Sequence, residues 1–280
     1  MRHGFVKVAA ATPDIRVADV EFNTEKICGA IGEACKMKAK IIVFPELCIT
    51  GYTCGDLFTQ DALLEAAHDA LLKIARYTAD KDILAFVGTP LSVRGKLYNT
   101  AAALNRGKIL GFTTKTFHYA EFYEMRQFTP GPDQAGYILF EGEQIPFGPQ
   151  ILFEASGMED LIVSAEICED VWSPVPPSIQ AAIEGATVIV NCSASNETIG
   201  KDAYRRELIS GQSARLIAGY VYANAGEGES TTDVVFGGHN IIAENGAVLK
   251  EAGRYKNEVI YSEFDLKRMG KLRINHLIFI

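Results

Sequence analysis

Strand-like apolar runs alternate with helix-like apolar faces along this 280-residue chain, and that alternation leaves few ways to build a core. Residues 5–11 read as a strand. Ile27, Ala30, Ile31 and Ala34 then recur at helical spacing behind Asn23, which reads as an N-cap. Residues 40–44 form a short apolar strand that stops at Pro45-Glu46. A second helix is expected over 61–77, with Leu63, Leu64, Ala67, Leu71 and Ile74 on one face. Strands follow at 83–87, 96–104 and 109–113, with Arg94-Gly95 as a turn, and residues 129–149 read as loop and hairpin.

The second half repeats the logic. Strands are expected at 160–167, 187–192, 219–224, 238–243, 247–251 and 258–265, with Asn245-Gly246 as a hairpin turn. Helices are expected at 178–184 and 202–218. Two such halves fit an α/β or α+β fold with two sheets face to face and helices outside. No linker, low-complexity tract or repeat interrupts residues 1–280, so a single domain is expected.

Composition excludes several function classes. The net charge of −8, with no like-charge block, argues against nucleic acid or an anionic membrane as partner. No apolar run reaches the roughly 20 residues that a membrane span needs. The six cysteines form no CxxC pair, and the five histidines show no ligand spacing, so a zinc site is not expected. Free thiols of this kind suit a reducing compartment, and a cytoplasmic location is expected.

Three distant segments carry the chemistry: Phe44-Pro45-Glu46-Leu47, Lys115 ahead of Glu121-Phe122-Tyr123-Glu124, and Ser164-Ala165-Glu166-Ile167-Cys168-Glu169-Asp170. Taken alone, each has a structural reading: a turn carboxylate, a surface lysine, a core cysteine. Charge on both sides of Cys168 interrupts the strand alternation and suits a strand end facing a pocket. A carboxylate, an ammonium and a thiol together supply a general base, a charge stabiliser and a nucleophile. In that arrangement Lys115 lowers the thiol pKa by its charge, and Glu46 takes the proton.

The order Glu46, Lys115, Cys168 resembles the nitrilase superfamily of carbon–nitrogen hydrolases. The surrounding text narrows the likeness: Phe44 to Tyr52 running into Gly55-Asp56-Leu57-Phe58, Glu166 to Trp172, Asn191 to Ser195, and Tyr222 to Asp233. Together these are similar to the amino-terminal glutaminase domain of glutamine-dependent NAD synthetases, over nearly the whole chain. The resemblance implies a four-layer αββα sandwich that hydrolyses L-glutamine to glutamate and ammonia. It implies Glu46, Lys115 and Cys168 as catalytic residues with Glu124 in support; on chemistry alone, the Glu169 N–H next to the thiol is a candidate second oxyanion donor. Tyr119 and Phe122 would line the substrate pocket, and Glu169, Ser195 and Lys201 would hold the polar ends of the substrate. The resemblance also implies homo-oligomers, no cofactor for this domain, and a synthetase domain that uses ATP and Mg to amidate nicotinic acid adenine dinucleotide.

The sequence departs from that pattern in three places. No Ser-Gly-Gly-x-Asp-Ser pyrophosphate loop is present, so the synthetase domain is absent and a longer parent protein is expected. Phe117-His118-Tyr119 replaces a longer Leu-Pro-x-Tyr stretch, and His118 reads either as a stray loop residue or as a local repair. Leu277-Ile278-Phe279-Ile280 is an apolar end suited to packing on further chain. Two other readings stay open: a stand-alone amidase for another small amide, and a binding or assembly module with an idle triad.

Overall fold

The computed structural model describes residues 4–119 and 124–276. The chain begins with β1 (Phe5–Ala11), α1 (Val20–Lys36), β2 (Ile41–Val43), a 3-10 helix at Tyr52–Thr59 and α2 (Asp61–Tyr77). Next come β3 (Leu84–Val93), β4 (Lys96–Asn105) and β5 (Lys108–Thr114), then the short α3 (Glu124–Gln127). β6 (Gly136–Phe140) and β7 (Glu143–Gly148) form a hairpin, followed by β8 (Leu152–Glu154) and β9 (Ile162–Ile167). A 3-10 turn at Cys168–Trp172 leads to α4 (Pro177–Ile183), β10 (Val188–Ser193), α5 (Lys201–Leu216) and β11 (Gly219–Asn224). β12 (Ile241–Glu244), β13 (Ala247–Glu251), β14 (Val259–Asp265) and α6 (Leu266–Ile274) follow.

The strands form two sheets, ordered β14-β1-β2-β3-β4-β5-β7-β6 and β13-β12-β11-β10-β9-β8. Side chains alternate across each strand, so each sheet buries two faces. Val6, Val8 and Ala10 of β1 point to the inter-sheet core, where they join Val163, Ala165, Val188 and Val190. Ala9 and Ala11 turn to the other side and pack with Ile27, Ile31, Leu71 and Ile74 of α1 and α2. On the second sheet Ile189, Tyr220 and Tyr222 pack against Ala181, Ala182, Ile209 and Leu216 of α4 and α5. The result is a four-layer αββα sandwich. Each large aliphatic side chain so buried contributes about 1.5–3 kcal/mol.

Several local readings needed adjustment. Asp19, not Asn23, caps α1: its carboxylate accepts from the Phe22 N–H at 3.1 Å. Asn23 lies inside the helix, where its side chain bonds Arg16 and the Ile49 carbonyl. The strand expected at 238–243 runs instead over Ile241–Glu244, because Gly238 (φ 69°) and His239 (φ 68°) are left-handed and break the extension. α5 ends two residues early, where Ile217 turns left-handed at φ 46°. The Asn245-Gly246 turn is as expected, with both residues at positive φ.

Strand direction places the site. β1, β2 and β3 run parallel, and β5 shares their direction because β4 is antiparallel to both β3 and β5. β9, β10 and β11 are mutually parallel in the other sheet. Glu46, Lys115, Cys168 and Ser195 all lie just past strand carboxyl ends, where loops converge.

Candidate active site

Glu46 sits at the turn after β2, where its N–H reaches the Ser193 carbonyl of the other sheet at 3.3 Å. The turn lies directly on Gly88 of β3, whose added Cβ would meet Leu47 N at 2.3 Å and Pro45 O at 2.4 Å. Only glycine permits that approach. The carboxylate is fully buried and completely engaged. Oε1 accepts from Lys115 Nζ and Asn99 Nδ2, both at 2.7 Å, and Oε2 accepts from the Ala194 N–H at 3.0 Å. Burial pushes its pKa up to about 7 against the pull of Lys115.

Lys115 follows β5, its backbone N–H on the Asn99 carbonyl at 3.0 Å. Its ammonium lies between Glu46 Oε1 and Glu124 Oε1, at 2.7 and 2.5 Å, with no solvent exposure. Burial opposes the charge, but the two carboxylates outweigh it and hold the lysine above its ordinary range. Glu124 opens α3. Its Oε1 also accepts from the Tyr52 hydroxyl at 2.5 Å, and its Oε2 from the Tyr119 N–H at 3.1 Å. Burial raises the Glu124 pKa, but Lys115 and Tyr52 outweigh that and keep it below the usual range.

Cys168 stands at the junction of β9 and the 3-10 turn, at φ 43°. That left-handed conformation costs a non-glycine residue about 1–3 kcal/mol. Its N–H bonds Asn191 Oδ1 at 3.0 Å. The residue is buried, with 6% of its surface exposed. Burial, then the Glu46 charge, push its pKa far above the ordinary thiol value, and Lys115 pulls down without compensating. The expectation that Lys115 lowers the thiol pKa is therefore met only as a minor contribution, because desolvation dominates. The resting group is a neutral thiol beside a base that titrates near 7.

The remaining candidate residues are distributed around this centre. Glu169 is half-buried, and its pKa is raised by burial. Ser195 is buried next to Arg205, whose Nη2 donates to its Oγ at 3.3 Å. Lys201 begins α5, with its ammonium on Asn196 Oδ1 and 5.2 Å from the Trp172 ring centroid. Burial lowers its pKa. Tyr119 is placed by its N–H on Glu124, whereas Phe122 lies outside the described residues, as does Leu277–Ile280. His118 has no hydrogen-bond partner on either ring nitrogen among the described residues, and burial lowers its pKa.

Sequence reasoning missed Asn99, and gave no role of their own to Tyr52, Asn191 and Asp170, which stand within the motifs. An asparagine buried inside a strand, as at Asn99 of β4, was the available signal. Glu166 proved unrelated to the thiol: it anchors α4 through the Ser178 N–H at 3.0 Å and meets the Tyr220 hydroxyl. A cavity of about 770 Å³ reaches Glu124 and is lined by Tyr52, Thr53, Phe128, Asn196 and Asp233 among others. Among the described residues, no group of three or more His, Cys, Asp or Glu has metal-binding geometry. None of their helices is long and apolar enough to cross a membrane.

Residues 7–274 match the family model described as carbon-nitrogen hydrolase. A glutamine-dependent NAD(+) synthetase of Mycobacterium bovis is 43% identical over 279 residues, 98% of this chain and 41% of that protein. The crystal structure of a glutamine-dependent NAD(+) synthetase from Cytophaga hutchinsonii superimposes with a TM-score of 0.83 at 33% identity, covering 92% of this chain and 43% of that one. An amidase from Nesterenkonia sp. shares the fold at 21% identity and TM-score 0.74, with 98% and 97% covered. The chain spans about two-fifths of the length of the two synthetases.

Proposed function

Because this chain belongs to the carbon–nitrogen hydrolase family, we propose that it hydrolyses the side-chain amide of L-glutamine, releasing glutamate and ammonia. The observation that carries this reading is the fully buried Lys115 ammonium bridging Glu46 and Glu124, with Cys168 in the same electrostatic cluster. A structural cysteine has no use for such company.

The chemistry follows from the protonation states. Cys168 gives its proton to Glu46 as its sulfur attacks the amide carbon. Lys115 and the Glu169 N–H stabilise the oxyanion. The C–N bond breaks as Glu46 returns the proton to the departing nitrogen, leaving a thioester and ammonia. Water then attacks the thioester carbon, Glu46 takes its proton, the C–S bond breaks, and the thiol recovers a proton. No step needs a cofactor. Tyr119, Phe122, Glu169, Ser195 and Lys201 are assigned to holding glutamine. The similarity to the two synthetases supports ammonia delivery to a synthetase domain, which would use ATP and Mg to amidate nicotinic acid adenine dinucleotide. A cytoplasmic homo-oligomer is the expected form.

The test is intact-protein mass after exposure to a diazo-ketone analogue of glutamine. The expected result is one adduct on the wild type, blocked by L-glutamine and absent from Cys168→Ala. An adduct unaffected by glutamine would refute the substrate, and labelling that persists in Cys168→Ala would refute the nucleophile.

A further inference from the structure

We propose that Asp170 is a positioning residue: it clamps the segment after Lys115 to the Cys168 turn and so fixes the thiol against the ammonium. The proposal rests on the reading of Cys168 as nucleophile. Asp170 is fully buried, and both of its oxygens go to main-chain donors. Oδ1 accepts from the Thr116 and Phe117 N–H groups at 3.0 and 2.8 Å, and Oδ2 accepts from the Ile167 N–H at 2.9 Å. Residues 116–117 follow β5 of one sheet, whereas Ile167 ends β9 of the other. One side chain therefore joins the two sheets at the strand ends that present Lys115 and Cys168.

The clamp has a reason to exist. Cys168 is held in a left-handed conformation that relaxes unless its neighbours are fixed. Asp170 makes no ion pair among the described residues, so its contribution runs through the backbone donors. Burial pushes its carboxyl up to about 8, against the Ile167 and Phe117 N–H groups. A residue serving packing alone would be an asparagine or an apolar side chain without that penalty. Three donors from two segments require two acceptor oxygens, which asparagine lacks.

The experiment compares wild type, Asp170→Asn and Asp170→Ala in the full chain at pH 9, where the Asp170 carboxyl is ionised and both oxygens accept. Hydrogen exchange is read by mass spectrometry on peptides covering 114–118 and 165–169, with α2 as reference. The isosteric Asp170→Asn keeps one acceptor, so one of the two segments retains protection and the other loses it. Asp170→Ala loses both, while α2 is unchanged. Cys168 alkylation and kcat fall by about 10- to 100-fold in Asp170→Asn, with KM within about threefold, as expected for a displacement of reacting groups. Exchange and alkylation do not depend on glutamine being the substrate, so a wrong substrate leaves the proposal readable. Wild-type exchange and alkylation in Asp170→Asn would overturn it. So would uniform loss of protection that includes α2, which is the signature of a merely structural role. If Asp170→Ala fails to fold, the asparagine variant still decides.

Discussion

Replacing Glu46 by glutamine separates its chemical role from its structural one. Holding the carboxyl at about 7 rather than 4.5 means that the folded protein keeps a proton that the unfolded chain releases. The associated stabilisation is complete below pH 4.5, drains away as pH rises, and is gone above about 7. Its size is about 3 kcal/mol, from 1.36 kcal/mol per pH decade. Glutamine carries no charge at any pH, so wild type should lose about 3 kcal/mol relative to Glu46→Gln between pH 4 and 8. For a chain of this length that is roughly a 6 °C change in the difference of their Tm values. A constant offset is added, because the amide N–H₂ must face either Lys115 and Asn99 or the Ala194 N–H. One donor set then goes unpaired, at about 1–3 kcal/mol. Asp170 titrates in both proteins and cancels. Thermal denaturation of both proteins across this pH range measures the difference, and ammonia release should fall by about 10²- to 10⁴-fold in the variant. Parallel stability profiles would refute the buried, proton-sharing Glu46, and unchanged ammonia release would refute it as the base.

Other outcomes follow from the same geometry. The acid limb of kcat/KM for ammonia release should have its midpoint near 7, where Glu46 becomes a base, and Glu46→Gln should lack it. Lys115→Met leaves Glu46 and Glu124 buried without their shared cation, and should cost about 3–5 kcal/mol by denaturant titration. Gly88→Ala drives a methyl into the backbone under Glu46, and should cost about 1–3 kcal/mol and slow Cys168 alkylation more than tenfold.

Legibility in the sequence tracked the range of the interaction. α2 was read to the residue, Asp61–Tyr77, because its apolar face repeats over four turns and needs no partner to be seen. The two left-handed turns at Arg94-Gly95 and Asn245-Gly246 were equally plain. The α1 cap is ambiguous in sequence because Asn23 and Asp19 are both good caps, and the Asn23 side chain is instead taken up by the Arg16 backbone and the distant Ile49 carbonyl. At the site, Glu46, Lys115 and Cys168 were visible as charges and a thiol breaking apolar runs. The roles of Asn99 and Asp170 were not, because they lie in bonds to residues 53 and 54 positions away in sequence.

The buried cluster also explains why a thiol so reluctant to ionise suits the proposed reaction. With Lys115 charged and Glu124 held ionised, those two groups cancel. A preformed Cys168 thiolate would add an unpaired negative charge where burial and the Glu46 charge already oppose it. Transfer of the thiol proton to Glu46 moves charge within the cluster and leaves its total unchanged. The proton remains one residue away for the leaving nitrogen. A base titrating near 7 can take and return that proton in successive steps, which a carboxylate at its solution value would do less readily. Desolvation thus works on both partners at once: it keeps the thiol protonated until a substrate is present, and raises Glu46 to the range in which it accepts that proton.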